Sequence, residues 1–395
     1  MIARHTIVFL GTSQLICWGI SFYLIGVFGE LIVADLGWSR TLVYGGFSLA
    51  LVVMGLVSPI VGRLIDRVGG SRVMSAGSVL CAAGCAGLAV AETLVAYYAA
   101  WICLGLAMRS TLYDAAFASL ARIGGPEARR PIAQITLLGG LASTCFWPIG
   151  HLLAEAFGWR GALLVYAGFA LLTLPLHLAI PGARHQDNAS PEQTRRLPSL
   201  ALRRHDRTIA ALLYATIVTL TNGLNSGLSA HMIGVLTELG LGAGLAVSVS
   251  SLRGIGQSTA RLAEILFGGR LHPVDLNLGA TLVLPLCFTV GLASGGYMAA
   301  AVGFTLFYGA GIGILSITRG TLPLVLFDYR TYGAFVGKLL MPSFVLSAVS
   351  PLVFAAVIEH FGAPGALYLA IAMSSAILAA AIALKTLAAR QDLST

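Results

Sequence analysis

The sequence predicts an all-α membrane protein of twelve transmembrane helices arranged as two parallel six-helix repeats. Of its 395 residues, 57% are apolar and only 10% charged, against about a quarter charged in soluble domains, so no soluble surface can be built from it. Uncharged runs close to the roughly 20 residues that cross about 30 Å of hydrocarbon recur along nearly the whole chain. Landmarks of the first half also return in the second half in the same order.

The runs place spans near 6–29, 41–62, 73–91, 95–120, 131–155 and 161–180 in the first half. In the second half they fall near 208–231, 242–266, 275–293, 297–323, 334–357 and 364–385. The expected domains are a first bundle over 1–181, a cytoplasmic linker over 182–206 and a second bundle over 207–395. Strand alternation is absent and the runs exceed the roughly 10-residue strands of an outer-membrane barrel. Helices remain as the spanning element, because lipid leaves backbone polar groups no other partner. The first run, from Ile7 to about Val33, is longer than a signal-peptide core and lacks a small-x-small cleavage site, so it reads as a retained helix.

A net charge of +8 would suggest a nucleic-acid partner in a soluble protein. Here the arginines sit in short inter-helix loops, which excludes that reading. With a cytoplasmic amino terminus, the inner loops hold Arg63, Arg67, Arg72, Arg122, Arg129, Arg130, Arg270 and Arg330. The linker adds Arg184, Arg195, Arg196, Arg203, Arg204, Arg207 and His185, whereas the opposite loops hold only Arg40 and Arg160. This is a positive-inside pattern that puts both termini in the cytoplasm of a bacterial inner membrane. The linker bases could alternatively bind anionic lipid headgroups.

The six cysteines, Cys17, Cys81, Cys85, Cys103, Cys145 and Cys287, all fall in predicted spans, where a free thiol behaves as a small apolar group. They form no disulfide framework and no metal ligand set. With no phosphate loop, nucleophile elbow or paired metal-binding histidines, no enzymatic activity, cofactor or metal is expected, and an ATP-driven pump is disfavoured. His151, His177 and His231 lie near span ends and read as interfacial.

The repeat landmarks lie about 204 residues apart. Leu36-Gly37 matches Leu239-Gly240, Gly62-Arg63-Leu64 matches Gly269-Arg270-Leu271, and Pro148 matches Pro351. Phe157-Gly158-Trp159-Arg160-Gly161-Ala162-Leu163 answers Phe361-Gly362-Ala363-Pro364-Gly365-Ala366-Leu367. Six helices per half is an even number, so both halves start on the same side of the membrane. Parallel repeats of this kind place a substrate site between the halves of a transporter.

Between spans 2 and 3 stands Gly62-Arg63-Leu64-Ile65-Asp66-Arg67-Val68-Gly69-Gly70-Ser71-Arg72, with glycines that permit a tight turn or close helix approach. This stretch resembles the cytoplasmic loop signature of the major facilitator superfamily. The resemblance covers the whole chain and implies a gating motif of Gly62, Asp66, Arg67, Gly69 and Arg72, with Asp66 packed against the start of span 11. The second-half copy has His272-Pro273-Val274-Asp275 where acid and base should follow, which implies a degraded latch. Span 4 carries Arg109 but Tyr113 where a glycine is usual, and span 5 carries Trp147-Pro148-Ile149-Gly150 where antiporters have Gly-Pro. Asp35-Leu36-Gly37-Trp38-Ser39-Arg40 resembles the monocarboxylate and oxalate/formate porter branch.

Ionisable groups inside spans cost at least about 2.5 to 3.5 kcal/mol at the helix centre, so each retained one asks for a role. Arg253 lies mid-span in helix 8, and its guanidinium fork suits a carboxylate, so it is the first candidate for anion recognition. The rival reading pairs it with backbone carbonyls or an acid of the facing half, never touching substrate. Arg109 and Asp114 differ by five residues, about 140° on a regular helix, which argues against a mutual bond. Asp114 is the proton-coupling candidate, with a structural role as the alternative. Arg261 with Glu264, and Arg319 and Lys338, read as gate or structural pairs. Gln14, Trp18 and Tyr23 in span 1, Arg109 and Tyr113 in span 4, and Asn222 and Asn225 among glycines of span 7 are further substrate-binding candidates, which could line a polar cavity or, in spans 1 and 7, unwind the helix.

The expected activity is secondary active transport of small organic solutes, organic anions such as monocarboxylates foremost. It would proceed by alternating access with proton coupling or exchange, in a monomer embedded in the lipid bilayer. Drug or toxic-metabolite efflux is the alternative within transport, and a non-transporting receptor or scaffold the alternative outside it.

Overall fold

The computed structural model describes residues 2–182, 184–185, 204–267 and 271–392. Most of the linker expected over 182–206, with Arg195, Arg196 and Arg203, lies outside them, as do Gly269 and Arg270. The described residues hold thirteen α-helices and no strand. These are α1 (Arg4–Cys17), α2 (Leu24–Leu36), α3 (Arg40–Val68), α4 (Gly70–Ala89), α5 (Leu94–Thr111), α6 (Tyr113–Gly124) and α7 (Arg129–Gly140). They continue as α8 (Ala142–Leu178), α9 (Arg204–Glu238), α10 (Ala243–Phe267), α11 (Pro273–Gly291), α12 (Met298–Leu326) and α13 (Tyr332–Asp392).

Among the described residues, eight helical stretches are long and apolar enough to cross a bilayer. One, Leu94–Leu178, has 85 residues, which would run about 130 Å as a straight helix at 1.5 Å per residue. It folds back instead, because backbone breaks at Gly125 and Gly158 divide it into three passes, the first of them interrupted at Leu112. The 62-residue stretch Tyr329–Arg390 is split into two by Gly362. The remaining pass is α10, whose Ser250, Arg253, Gln257, Arg261 and Glu264 lower its hydropathy below a lipid-crossing threshold. Twelve passes in two six-helix repeats result.

Equivalent breaks make the repeat concrete. Gly158 (φ 69°, ψ 167°) and Gly362 (φ 68°, ψ −174°) adopt the same left-handed conformation, which a Cβ disfavours. Each follows a phenylalanine and starts the last pass of its repeat. At both places an acid from the end of the repeat's first pass holds the new helix. Asp35 Oδ2 accepts from Trp159 Nε1 at 3.1 Å and pairs with Arg160 Nη2 at 3.3 Å. Glu238 Oε1 accepts from the backbone N–H of Ala363 at 3.0 Å, so Asp35-Leu36-Gly37 and Glu238-Leu239-Gly240 are functional equivalents.

Packing gathers the helices into two compact units. The first holds α1 to α8 and the segment Tyr329–Met341, and the second holds α9 to α12 and α13 from Pro342 onward. Aromatic side chains fill each core: Phe28, Tyr97, Trp101 and Tyr166 in the first, Tyr214, Phe288, Phe304 and Tyr308 in the second. Leucines such as Leu172 and Leu286 stand exposed, as lipid contact requires.

Several expectations are corrected. His177 is fully buried rather than interfacial; Ser78 Oγ lies 2.8 Å from its Nδ1 and 2.7 Å from Thr173 Oγ1, and that polar cluster accommodates the ring. His151 is exposed beside Glu155 at 3.3 Å, and His231 Nε2 reaches the Pro351 carbonyl at 2.9 Å. The Asn-Gly-rich stretch of α9 is continuous helix, whereas span 1 does depart from α geometry, in a π turn at Trp18–Phe22. His272 caps α11 by accepting from Val274 N at 3.4 Å, and Asp275 pairs with Lys385.

Candidate functional site

In the first unit the decisive local feature is the break at Leu112 (φ −77°, ψ −174°) between α5 and α6. On a continuous helix the Thr111 carbonyl would accept from Ala115 N, but that N–H turns to Leu112 O at 3.0 Å. Gln14 of α1 supplies the missing donor, its Nε2 lying 2.7 Å from Thr111 O. Beside it the Trp18 ring packs 4.9 Å from Tyr113 and 6.1 Å from Tyr23, and Tyr113 stacks on Phe117 at 5.5 Å. The Tyr113 hydroxyl donates to Thr136 O at 3.0 Å. Four sequence candidates, Gln14, Trp18, Tyr23 and Tyr113, thus meet around one helix break, beside a π turn at Trp18–Phe22 of the kind often found at functional sites.

Regular helical rotation does not hold across Leu112, so the angle between Arg109 and Asp114 is set by the break rather than by the regular helical period. Both side chains are buried, at 2% and 8% exposure, and both line one cleft together with Tyr332, Val336, Gly337 and Leu340. Arg109 donates to Ser58 Oγ (2.9 Å) and Ser58 O (3.3 Å). No part of the cleft is wide enough for a water-sized sphere, whereas small-molecule pockets hold roughly 300 to 1,000 Å³. In this conformation it is a closed seam rather than a substrate chamber.

The start of α13 closes that seam. Asp66 accepts from Gly333 N (3.0 Å) and Ala334 N (2.7 Å), two of the orphan N–H groups at a helix amino terminus. A Cβ at Gly62 would fall on the Gly333 carbonyl oxygen, and one at Gly337 would come within 2.6 Å of the Ser58 carbonyl. Ser58 with Gly62, and Gly333 with Gly337, therefore form a small-x-x-x-small crossing of the kind that lets membrane helices approach closely. Arg122 donates to Asp66 O (3.3 Å) and Gly182 O (2.7 Å), and Arg184 to Arg330 O (3.1 Å). Gly69 takes φ 92° between α3 and α4. Arg67 and Arg72 of the motif are exposed and stay outside this network.

In the second unit Arg253 sits half-buried near the middle of α10. Its Nη1 donates to Ser229 Oγ at 2.5 Å, its Nη2 to Asn225 Oδ1 at 3.1 Å, and its guanidinium lies 5.3 Å from the Tyr308 ring. Within the unit every one of these partners is a neutral side chain. Asn222 lies one turn before Asn225 and makes no side-chain hydrogen bond among the described residues. Arg261 is corrected too: its bonds go to Ser316 Oγ at 3.2 and 3.0 Å rather than to Glu264.

Sequence reasoning missed Ser58, Ser229, Tyr308 and Ser316, whose roles depend on helix rotation and on residues distant in the chain. One signal was available. Arg109-Ser110-Thr111-Leu112 recurs as Arg319-Gly320-Thr321-Leu322, followed by Phe117 and Phe327, and marks an arginine in the fourth pass of each repeat, buried at Arg109 and half-buried at Arg319.

Two six-helix repeats with ionisable groups held inside them define a polytopic membrane protein of the transporter type. The sequence matches the Major Facilitator Superfamily over residues 10–337, and the chain belongs to that family. It is 29% identical to the 2-nitroimidazole transporter of Escherichia coli over 68% of this chain and 67% of that one. To the Mus musculus Monocarboxylate transporter 3 it is 33% identical, over 31% of this chain and 25% of that one. In fold it is similar to the human organic anion transporter MFSD10 (TM-score 0.71, 16% identity, 96% of this chain and 99% of that one). It is also similar to the proton:xylose symporter XylE (TM-score 0.76, 14% identity, 95% and 94%).

Proposed function

We propose that this protein carries small organic anions, monocarboxylates foremost, by alternating access with proton coupling or exchange. The observation that carries the reading is Arg253. A guanidinium placed mid-helix in a membrane is costly to retain, and within its unit this one is bonded only to Asn225, Ser229 and the face of Tyr308. Its charge is free to meet a carboxylate, with Asn225 and Ser229 fixing the fork for bidentate binding. The local likeness to Monocarboxylate transporter 3 supports the substrate class.

In this reading Asp114 takes up and releases the coupling proton beside Arg109. Asp66, Gly62 and Gly69 form the gate that holds the start of α13. The bundles of residues 1–181 and 207–395 move as a monomer in a bacterial inner membrane, with both termini and the 182–206 linker cytoplasmic. The test is uptake of labelled carboxylates into proteoliposomes under an imposed pH gradient. Saturable, gradient-dependent uptake supports the reading, and its absence across mono- and dicarboxylates refutes it.

A second reading, efflux of planar aromatic solutes, is favoured by the Trp18, Tyr113 and Phe117 ring stack and by the likeness to the 2-nitroimidazole transporter. Under it, labelled 2-nitroimidazole rather than carboxylate would move, and Trp18→Ala would abolish that movement.

A further inference from the structure

Arg253 is one of two cations on a single face of α10. Arg253, Gln257 and Arg261 recur every four residues, so the two guanidinium-bearing positions stand about 12 Å apart along the axis at 1.5 Å per residue. That face is the one turned to α12. A Cβ at Gly309 would fall on the Arg253 carbonyl oxygen, and one at Gly313 would come within 2.6 Å of the Gln257 carbonyl. The two helices are pressed together there, and the polar row runs along their seam.

Arg261 is only 3% exposed. Its Nε and Nη2 share one acceptor, Ser316 Oγ, and that hydroxyl itself donates to Gly313 O at 2.6 Å. The Nη1 is buried and has no acceptor among the described residues. Arg261 has no carboxylate among them either, its bonds going to the Ser316 hydroxyl alone. A buried charge with one donor unsatisfied is unfavourable for a purely structural residue, since a neutral side chain of similar length would fill the same space.

We propose that Arg261 is a second anion-holding station: a carboxylate leaving Arg253 is received by the unsatisfied Nη1 of Arg261, with Gln257 between them as a neutral donor. The proposal rests on the reading of Arg253 as the anion site and extends it into a route along α10. The substrate's own charge supplies the counter-ion that the protein lacks at Arg261. The row also accounts for the polarity that sets α10 apart from the other passes.

The experiment uses the full chain in proteoliposomes with labelled lactate and labelled oxalate as probes, comparing the parent with Arg261→Gln, Arg261→Lys and Arg253→Gln. Arg261→Gln is expected to bind lactate at equilibrium within about twofold of the parent but to slow counterflow by about 10- to 100-fold, the loss of one charge-assisted contact. Arg261→Lys keeps the charge without the fork, and is expected to recover most of the rate with a raised KM and an unchanged Tm. Parental counterflow in Arg261→Gln, or a defect there that Arg261→Lys leaves unrelieved, overturns the proposal. If Arg261→Gln does not assemble, a parental KM in Arg261→Lys overturns it as well. Parental lactate uptake in Arg253→Gln would instead refute the anion reading itself, so the two failures are distinguishable.

Discussion

Replacing Asp66 with asparagine should loosen the start of α13 by an amount that follows from its two contacts. The carboxylate accepts from Gly333 N at 3.0 Å and from Ala334 N at 2.7 Å. An amide can accept one of these bonds, but it turns its NH₂ toward the other N–H. One charge-assisted bond is lost, worth about 1.5 to 3 kcal/mol, along with about 0.3 to 1 kcal/mol from a negative charge at a helix amino terminus. Because Asp66 is only half-buried, the lower end applies, about 2 kcal/mol, or about 30-fold in the open-to-closed ratio. Leu340 lines the closed seam and is 1% exposed, so a cysteine there reports opening. In a chain whose six native cysteines are replaced, Leu340→Cys should react with a membrane-impermeant maleimide about 30-fold faster when Asp66→Asn is added. Arg67→Gln, at an exposed base of the same motif, should leave the rate unchanged. An Asp66→Asn rate within about twofold of the parent refutes the reasoning, since a bond of that strength cannot be lost without effect.

Two further outcomes follow from the first unit. Gln14→Leu leaves the Thr111 carbonyl buried without its donor, which should cost about 1 to 3 kcal/mol and lower the Tm of the detergent-solubilised protein; an unchanged Tm would show that the break at Leu112 needs no cap from α1. Asp114→Asn should abolish proton-driven accumulation of carboxylate while counterflow exchange persists, and retention of both activities would return Asp114 to a structural role.

Much of the fold was legible because lipid imposes a length and leaves the backbone one way to satisfy itself. Apolar runs marked each pass, including α10, where Arg253 and Arg261 lowered the hydropathy without shortening the run. Gly158 and Gly362 fell in the gaps between predicted spans because only glycine takes their backbone conformation without strain. The break at Leu112 was illegible. Neither glycine nor proline announces it, and it is stabilised by Gln14, 97 residues earlier in the chain. That one feature sets how Arg109 and Asp114 come to line the same cleft. The contact of Asp66 with residues 267 and 268 positions away was accessible only through resemblance to a family motif. Arg253 could be named as a buried cation from its depth in the span, whereas Ser229 and Tyr308 required the rotation of α9 and α12. His177 looked interfacial because it ends its pass, and only the tertiary position of Ser78, bridging it and Thr173, explains how it is held inside.

The central claim is that Arg253 recognises the transported anion, and initial-rate uptake of labelled lactate into proteoliposomes under an inward proton gradient tests it most directly. Arg253→Gln keeps a hydrogen-bonding side chain beside Asn225 and Ser229 while removing the charge. The account predicts loss of saturable uptake by about 10- to 100-fold with the protein still folded and inserted. Saturable uptake at the parental rate and KM would contradict it.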